Sequence, residues 1–517
     1  MYNRVLPVGA TNMAAGPHEV PATAAEATSA GRYRAAGRRW TWLVLIFAVA
    51  AVLVATSVYV LSNQGAESVL PVAWHLPDRC YQYCQLSSAG GVLYTLLRQN
   101  QPNGIIADGA TYFSLQAYNW SSGTILWSVA NFTVWGVWLS TPTALFVDRG
   151  TVAVVVSGDG EWVPGQGGPP VWFGPQYSTF VFEWNASTGL FLNQTHYGAY
   201  EDGIAYWGAS ESQGWIAVAL ASAGSSNGLI QSIPMVTHSG AYSPWSATVD
   251  PGTLPSAYCG PAFRVIQVEG MVSLWVSGGQ SLVTLLSGSS GTELWQGAIP
   301  GWSSMETNSS GCQPESLAYG PQGLYYIERS GSGSAIELFN PTTHTSSTVA
   351  SLSDTNASYD GLTLLQSGEL IVADTLHDNY SAFSQTGTHL WTLGLTITVG
   401  RYSGNGFAAN VWGTVLQPVE LGTNSILLSM TSGGGGQSCN DPTCVGTLYY
   451  SLPLEIVNDS TAAISWQSSY QSNTCFGGCS GAPPSYAPVI GSGSYVVFEV
   501  YSGGSGSCLV ARFAGVT

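Results

Sequence analysis

Apolar and polar residues alternate in short runs along most of the chain, from about Ser68 to the C-terminus. Thr111–Trp120 (TYFSLQAYNW), Val265–Val276 (VIQVEGMVSLWV) and Leu362–Asp374 (LTLLQSGELIVAD) are examples. A period of two places every second side chain on one face, so these runs predict half-buried β-strands. One five-residue pattern recurs: GTILW at Gly123–Trp127, GTELW at Gly291–Trp295 and GTHLW at Gly387–Trp391. A β-like run precedes each copy, so each reads as strand, polar turn, strand ending in Trp. Degenerate copies stand at Ser178–Thr195, Ala335–Leu352 and Gly446–Trp466, with a weaker one at Gly228–Trp245.

Trp127, Trp245, Trp295, Trp391 and Trp466 are spaced by about one or two multiples of 50–60 residues, with one longer step near 75. Such a period, carrying only strand signals, predicts an all-β fold: a β-propeller of four-stranded blades. The recurrent Trp is expected to wedge between neighbouring blades. Each blade reads A, glycine turn, B, loop, C, Ser/Thr/Gly turn, D. About 450 residues give eight blades at about 56 each and seven at about 64; eight is preferred. The last strand set, Gly493–Phe513, lacks its own D strand. Ser68–Pro77 (SVLPVAWHLP) is expected to supply it and close the ring, removing open edges.

One run breaks the alternation. Leu43–Leu61 is a 19-residue apolar stretch without charge, enough to span a bilayer as a helix. Trp40, Trp42 and Tyr59 flank it; Arg32, Arg34, Arg38 and Arg39 precede it, and Glu67 and Asp78 follow. The expected organisation is a disordered cytoplasmic tail (1–39), one transmembrane helix (40–62) and an extracellular propeller (68–517) in a single-pass cell-membrane protein. A cleaved signal peptide is the alternative, but the preceding segment is long and no A-x-A site follows.

Composition narrows the chemistry. Of 517 residues, 12% are aromatic, only 8% are charged, and the net charge is −17. There is no lysine, which removes P-loop and Schiff-base chemistry. So acidic a chain is a poor ligand for nucleic acid. Few titratable groups also make folding less sensitive to pH, which suits an acidic exterior; avoidance of lysine codons explains the composition equally well. All nine cysteines follow the apolar run: Cys80, Cys84, Cys259, Cys312, Cys439, Cys444, Cys475, Cys479 and Cys508. Without zinc spacing or nearby His they read as disulfides with one odd thiol, and no metal site is expected. Cys259–Cys312 is the expected long-range bridge, Cys439–Cys444 and Cys475–Cys479 local staples, with one terminal bridge among Cys80, Cys84 and Cys508. Sequons at Asn119, Asn131, Asn185, Asn193, Asn308, Asn356, Asn379 and Asn458 admit glycosylation.

The hairpin resembles the quinoprotein-type (PQQ-like) repeat in Gly123 and Trp127, Ser187–Thr188–Gly189, Gly291 and Trp295, and Thr386–Gly387 with Trp391. The usual Asp of that repeat is mostly absent; Asn119 and Asn185 stand near its place. The resemblance implies a funnel-shaped propeller and leaves pyrroloquinoline quinone and calcium open, though no cofactor is expected. Quinoprotein dehydrogenases use adjacent cysteines, which are lacking here.

The longer connections, B–C and D–A, leave one end of a meander and form a rim. Trp162, Trp172, Phe173, Trp302, Tyr402, Phe407 and Phe476 are expected to crown it, with Glu201, Asp202 and Arg401 in the same loops. Rigid aromatic loops suit binding of an extracellular protein or glycan, so the expected function is a non-catalytic interaction module. The alternatives are a quinoprotein-type or glycan-processing enzyme in the funnel, and a structural component of the cell envelope.

Overall fold

The alternating runs become antiparallel strands grouped as eight four-stranded meanders. The computed structural model describes residues between Leu70 and Phe513, apart from connecting stretches, chiefly 77–83, 100–109, 136–142, 163–170, 173–176, 201–205, 222–227, 237–243, 251–262, 300–306, 313–316, 353–358, 396–410, 435–445 and 477–484. The tail and Leu43–Leu61 lie outside the described residues. Among the described residues, no helix is long and apolar enough to cross a membrane.

In order A to D, blade 1 is Cys84–Ala89, Val92–Gln99, Ala110–Asn119 and Ile125–Ser128, and blade 2 is Thr143–Asp148, Thr151–Gly158, Tyr177–Asn185 and Phe191–Tyr200. Blade 3 is Tyr206–Ser212, Trp215–Ala221, Gly228–Pro234 and Trp245–Val249; blade 4 is Phe263–Val268, Met271–Val276, Leu282–Ser287 and Glu293–Ala298. Blade 5 is Leu317–Gly320, Gly323–Ser330, Gly333–Asn340 and Thr345–Leu352; blade 6 is Tyr359–Leu364, Leu370–Asp374, Asn379–Phe383 and His389–Gly394. Blade 7 has a divided A strand, Val411–Val415 and Val419–Leu421, then Ser425–Gly434, Gly446–Asn458 and Ile464–Phe476. Blade 8 is Ser485–Ser492, Tyr495–Ser502 and Ser505–Arg512, and Val72–His75 completes it as the D strand. The count is therefore eight, and the ring closes through the segment read from the sequence.

The core is divided by seam. Eight hydrophobic clusters each join two consecutive blades. Strand alternation produces this division: Phe180, Phe182 and Trp184 face blade 1, while Val181 between them faces blade 3. A strands of successive blades approach one another, so they lie innermost.

The repeated five residues hold the seams. In blades 1, 2, 5 and 7 the C–D turn opens on Asn119, Asn185, Asn340 or Asn458, whose side-chain oxygen accepts backbone N–H groups two and three residues on. The turn then reaches a positive φ, as at Gly189 (φ 68°). A Cβ built there would come within 2.7 Å of the Trp127 ring of the preceding blade, so glycine serves both the φ and the contact. Trp74 and Trp245 stack against Gly123 and Gly291 in the same way. Each indole also donates to a turn carbonyl of the next blade: Trp74 to Trp120 (2.9 Å), Trp127 to Ala186 (2.9 Å), Trp245 to Gly288 (2.8 Å) and Trp391 to Asp459 (2.6 Å).

Two corrections follow. The Trp does not end its strand; it is the third residue in blades 1, 4, 6 and 7, and at Trp245 it is the first. The residue before it is a β-bulge in blades 1, 4, 6 and 7; blade 2 carries the same bulge without a Trp, and in blade 5 the bulge lies further along, at Val349.

Candidate functional site

The meander gives the ring two unlike ends. A–B and C–D turns form the turn end, short except in blade 3, where the connection from Pro234 to Trp245 is longer; B–C and D–A connections form the loop end. The described additions lie in or extend toward loop-end connections. Strands Gly160–Trp162 and Val171–Trp172 arise within the B–C connection of blade 2. They pair onto Phe132–Trp135, which continues the outer edge of blade 1. The C and D strands of blade 7 run 13 residues each, roughly 40 Å, well beyond their counterparts. A two-strand hairpin, Thr307–Asn308 with Gly311–Cys312, sits in the connection from blade 4 to blade 5.

Of the rim candidates, Trp162 and Trp172 are placed by backbone alone, in strands that add to the outer edge of blade 1, an unpaired edge that the excursion from blade 2 extends. Phe476 is the last residue of the long D strand of blade 7, paired with Gly446. Phe173, Trp302, Tyr402, Phe407, Glu201, Asp202 and Arg401 lie outside the described residues.

Of the cysteines, Cys80, Cys259, Cys439, Cys444 and Cys479 lie outside the description, and Cys312 and Cys475 are placed by backbone alone. Cys508 is fully buried in the closing sheet, in a cluster with partly buried Cys84. Cys84 carries a free thiol. The sequons have a structural use: Asn119, Asn185 and Asn458 are the turn-opening residues above, and the Ser or Thr two residues on hydrogen-bonds the same side-chain oxygen. Asn193 donates to the buried Glu183 carboxylate at 3.1 Å. Asn379 begins the C strand of blade 6, Asn308 lies in the small hairpin, and Asn131 and Asn356 are outside the description.

A cavity of about 450 Å³ opens at the turn end of the axis, among the A strands and A–B turns of blades 1, 6, 7 and 8. Ser88, Gln366, Glu420 and Ser492 supply its polar side chains, and Gly491 lets the A strands of blades 7 and 8 close up behind it. Glu420 accepts the Gln366 N–H at 2.5 Å. Burial first, then the charges of Asp459 and Glu369, hold the Glu420 carboxyl above its ordinary value; the Gln366 N–H opposes this. Asp459 is raised likewise by burial and by Glu369. Sequence reading missed this cavity because glycine and serine in A strands carry no distinguishing pattern.

Other buried carboxylates belong to seams. Glu183 is fully buried and accepts Val236 N–H of the next blade at 2.7 Å, beside Asn193, which takes the place of the Trp. Burial raises its pKa against those two hydrogen bonds. Glu337 and Glu455 are raised by burial too. Asp374 meets His377 Nδ1 at 2.6 Å. Among the described residues no three His, Cys, Asp or Glu side chains are placed to hold a metal ion.

No family model matches the chain, and no curated protein does. Solved structures similar to it include BamB from Moraxella catarrhalis (15% identity, 83% of this chain, 100% of that one, TM-score 0.37). A prolyl endopeptidase aligns at 9% identity over 84% of this chain and 55% of its own, TM-score 0.38. The dihydro-heme d1 dehydrogenase NirN aligns at 10% identity over 78% of this chain and 76% of its own, TM-score 0.36. At such scores a neighbour's activity does not transfer. On its own strand pairings, the chain is an eight-bladed β-propeller.

Proposed function

We propose that the chain is a membrane-anchored extracellular propeller that binds a protein or glycan through its loop end, without catalysis. The observation that carries this reading is the asymmetry of the ring. The turn end repeats an Asn-opened turn in four blades, whereas the added hairpin on blade 1 and the long blade 7 strands depart at the loop end. Such extensions enlarge a surface and leave the seams unchanged, which suits recognition.

The test is capture of partners from intact membranes by cross-linking to the full chain, comparing wild type with Trp162→Ala/Trp172→Ala. The expected outcome is at least a ten-fold loss of specific capture with an unchanged melting temperature. Undiminished capture would remove the blade 1 extension from the binding surface. Topology is tested by protease added to intact cells, which should remove the propeller and spare the tail; protection of the whole chain refutes the anchor.

A further inference from the structure

Ten large apolar side chains are exposed among the described residues. Four stand one to a blade on blades 4 to 7, where Leu294, Leu390 and Ile464 occupy D-strand starts equivalent to those of blades 1 and 2. The other six fall on consecutive blades: Val72 (41%) on blade 8, Ile125 (54%) and Leu126 (49%) on blade 1, Leu190 (68%) and Leu192 (41%) on blade 2, and Val236 (46%) on blade 3. All six lie at the turn end. Val72 opens its strand, Ile125 and Leu126 open theirs, Leu190 and Leu192 follow the Asn185 turn, and Val236 begins the C–D turn of blade 3. The indole contacts of Trp74 and Trp127 hold blades 8, 1 and 2 in register, so these side chains ride on one rigid arc. The C–D turns of blades 1 and 2 expose the hydroxyls of Ser121, Ser122, Ser187 and Thr188, and the A–B turn of blade 2 adds the exposed Arg149 beside Asp148. Blades 1 and 2 carry two such side chains each, flanked by one each on blades 8 and 3, and exposed apolar residues gathered on one edge in this way mark a contact surface.

The chain itself indicates the occupant. It enters the propeller at Leu70, two residues before Val72, at the same end. Only residues 62–69 separate Leu70 from the uncharged run Leu43–Leu61, a reach of about 30 Å at full extension. Exposed Arg512 stands beside the entry, its backbone N–H donating to Pro71 at 2.9 Å, with its guanidinium over Tyr495. We infer that the turn-end edge of blades 8, 1, 2 and 3 rests on a lipid surface, with these six side chains entering the headgroup boundary and the loop end facing away. Interfacial seating of this kind buries an apolar face about 5–10 Å into the headgroup boundary and leaves flanking cations such as Arg149 and Arg512 at the headgroups. The inference rests on reading Leu43–Leu61 as a membrane anchor.

The experiment uses the full chain reconstituted in phosphatidylcholine vesicles, with a specific protease site written into residues 62–69. After cleavage, flotation reads how much propeller stays with lipid. Wild type should remain bound, and Ile125→Asp/Leu190→Asp should bind at least ten-fold less while melting as wild type does. Release of the cleaved wild type to the same extent as the variant overturns the proposal. So does a cleaved wild type that dimerises without binding vesicles while the variant stays monomeric, which would put a second copy on the arc. The anchor is read separately: extraction of the uncut chain by alkaline carbonate refutes it, and flotation of the propeller still decides the lipid contact.

Discussion

Trp127→Ala tests how the seams are held. Trp127 is 8% exposed, donates to Ala186 of the next blade, lies over Gly189 and packs against Tyr94 at 5.9 Å. Truncating a buried Trp costs about 3–5 kcal/mol in transfer and cavity terms. The lower half of that range is expected, because Tyr94 also donates to the Ala186 carbonyl (3.2 Å) and keeps it satisfied when the indole is gone. About 3–4 kcal/mol is a large share of a typical domain stability of about 5–15 kcal/mol. Gly189→Ala completes a double-mutant cycle. In wild type the new Cβ meets the indole at 2.7 Å; in the Trp127→Ala background only the strain of a positive φ remains, about 1–2 kcal/mol. Urea denaturation of the single and double variants should give a coupling energy above about 1 kcal/mol. A Trp127→Ala cost below about 1 kcal/mol, or the same Gly189→Ala cost in both backgrounds, refutes the idea that Trp and Gly grip each other.

Deleting residues 70–76 should open the ring at blade 8, exposing the Ser505–Arg512 edge, and sedimentation should show association; a monomer that melts like wild type refutes closure there. Glu183, Glu211, Glu337, Glu420, Glu455 and Asp459 all have carboxyls held above their ordinary values of 4.5 or 3.8, with burial the first cause in each. A carboxyl whose folded value exceeds its unfolded one stabilises the fold below the unfolded value, and that contribution is lost as pH rises through the folded value. The melting temperature should therefore rise from about pH 7.5 to about pH 5, and a fall over that window would contradict the burial reading. Glu183→Gln should flatten part of that slope without abolishing folding.

The repeat was legible because its signals are local: alternation, a polar turn, a positive-φ glycine and one large aromatic lie within about 20 residues. The closing strand was legible because a D strand was missing at one end and an unassigned run stood at the other. What escaped depends on distant partners. Nothing near Trp162 or Trp172 says that the excursion carrying them adds to the edge of blade 1. Glu183 looks like an ordinary strand glutamate until Val236, 53 residues on, presents its N–H. The bulge before Trp is invisible in the sequence because an exposed Leu at Leu126, Leu294 or Leu390 reads as one more alternation. The low charge suggested weak dependence on pH, but Glu183, Glu211, Glu337, Glu420, Glu455 and Asp459 are each raised first by burial, so their titration bears on stability.

The seams also explain why the two ends can differ so much. Residues repeated from blade to blade stand at the C–D turn or just after it: the turn-opening Asn, the glycine, the bulge and the Trp. Where the Trp is missing, something else at the same place joins the blades. Glu183 and Asn193 serve between blades 2 and 3, and the backbone of Val349 lies directly on Gly387 between blades 5 and 6. At Trp295 the partner is not glycine but His344, itself at a positive φ and stacked on the indole at 5.1 Å. No equivalent contact repeats in the described parts of the B–C and D–A connections. The contacts that fix blade against blade are therefore spent at one end, and the loop end can lengthen, as blades 2 and 7 do, with little effect on ring stability. A propeller built this way can change what it binds without changing how it folds.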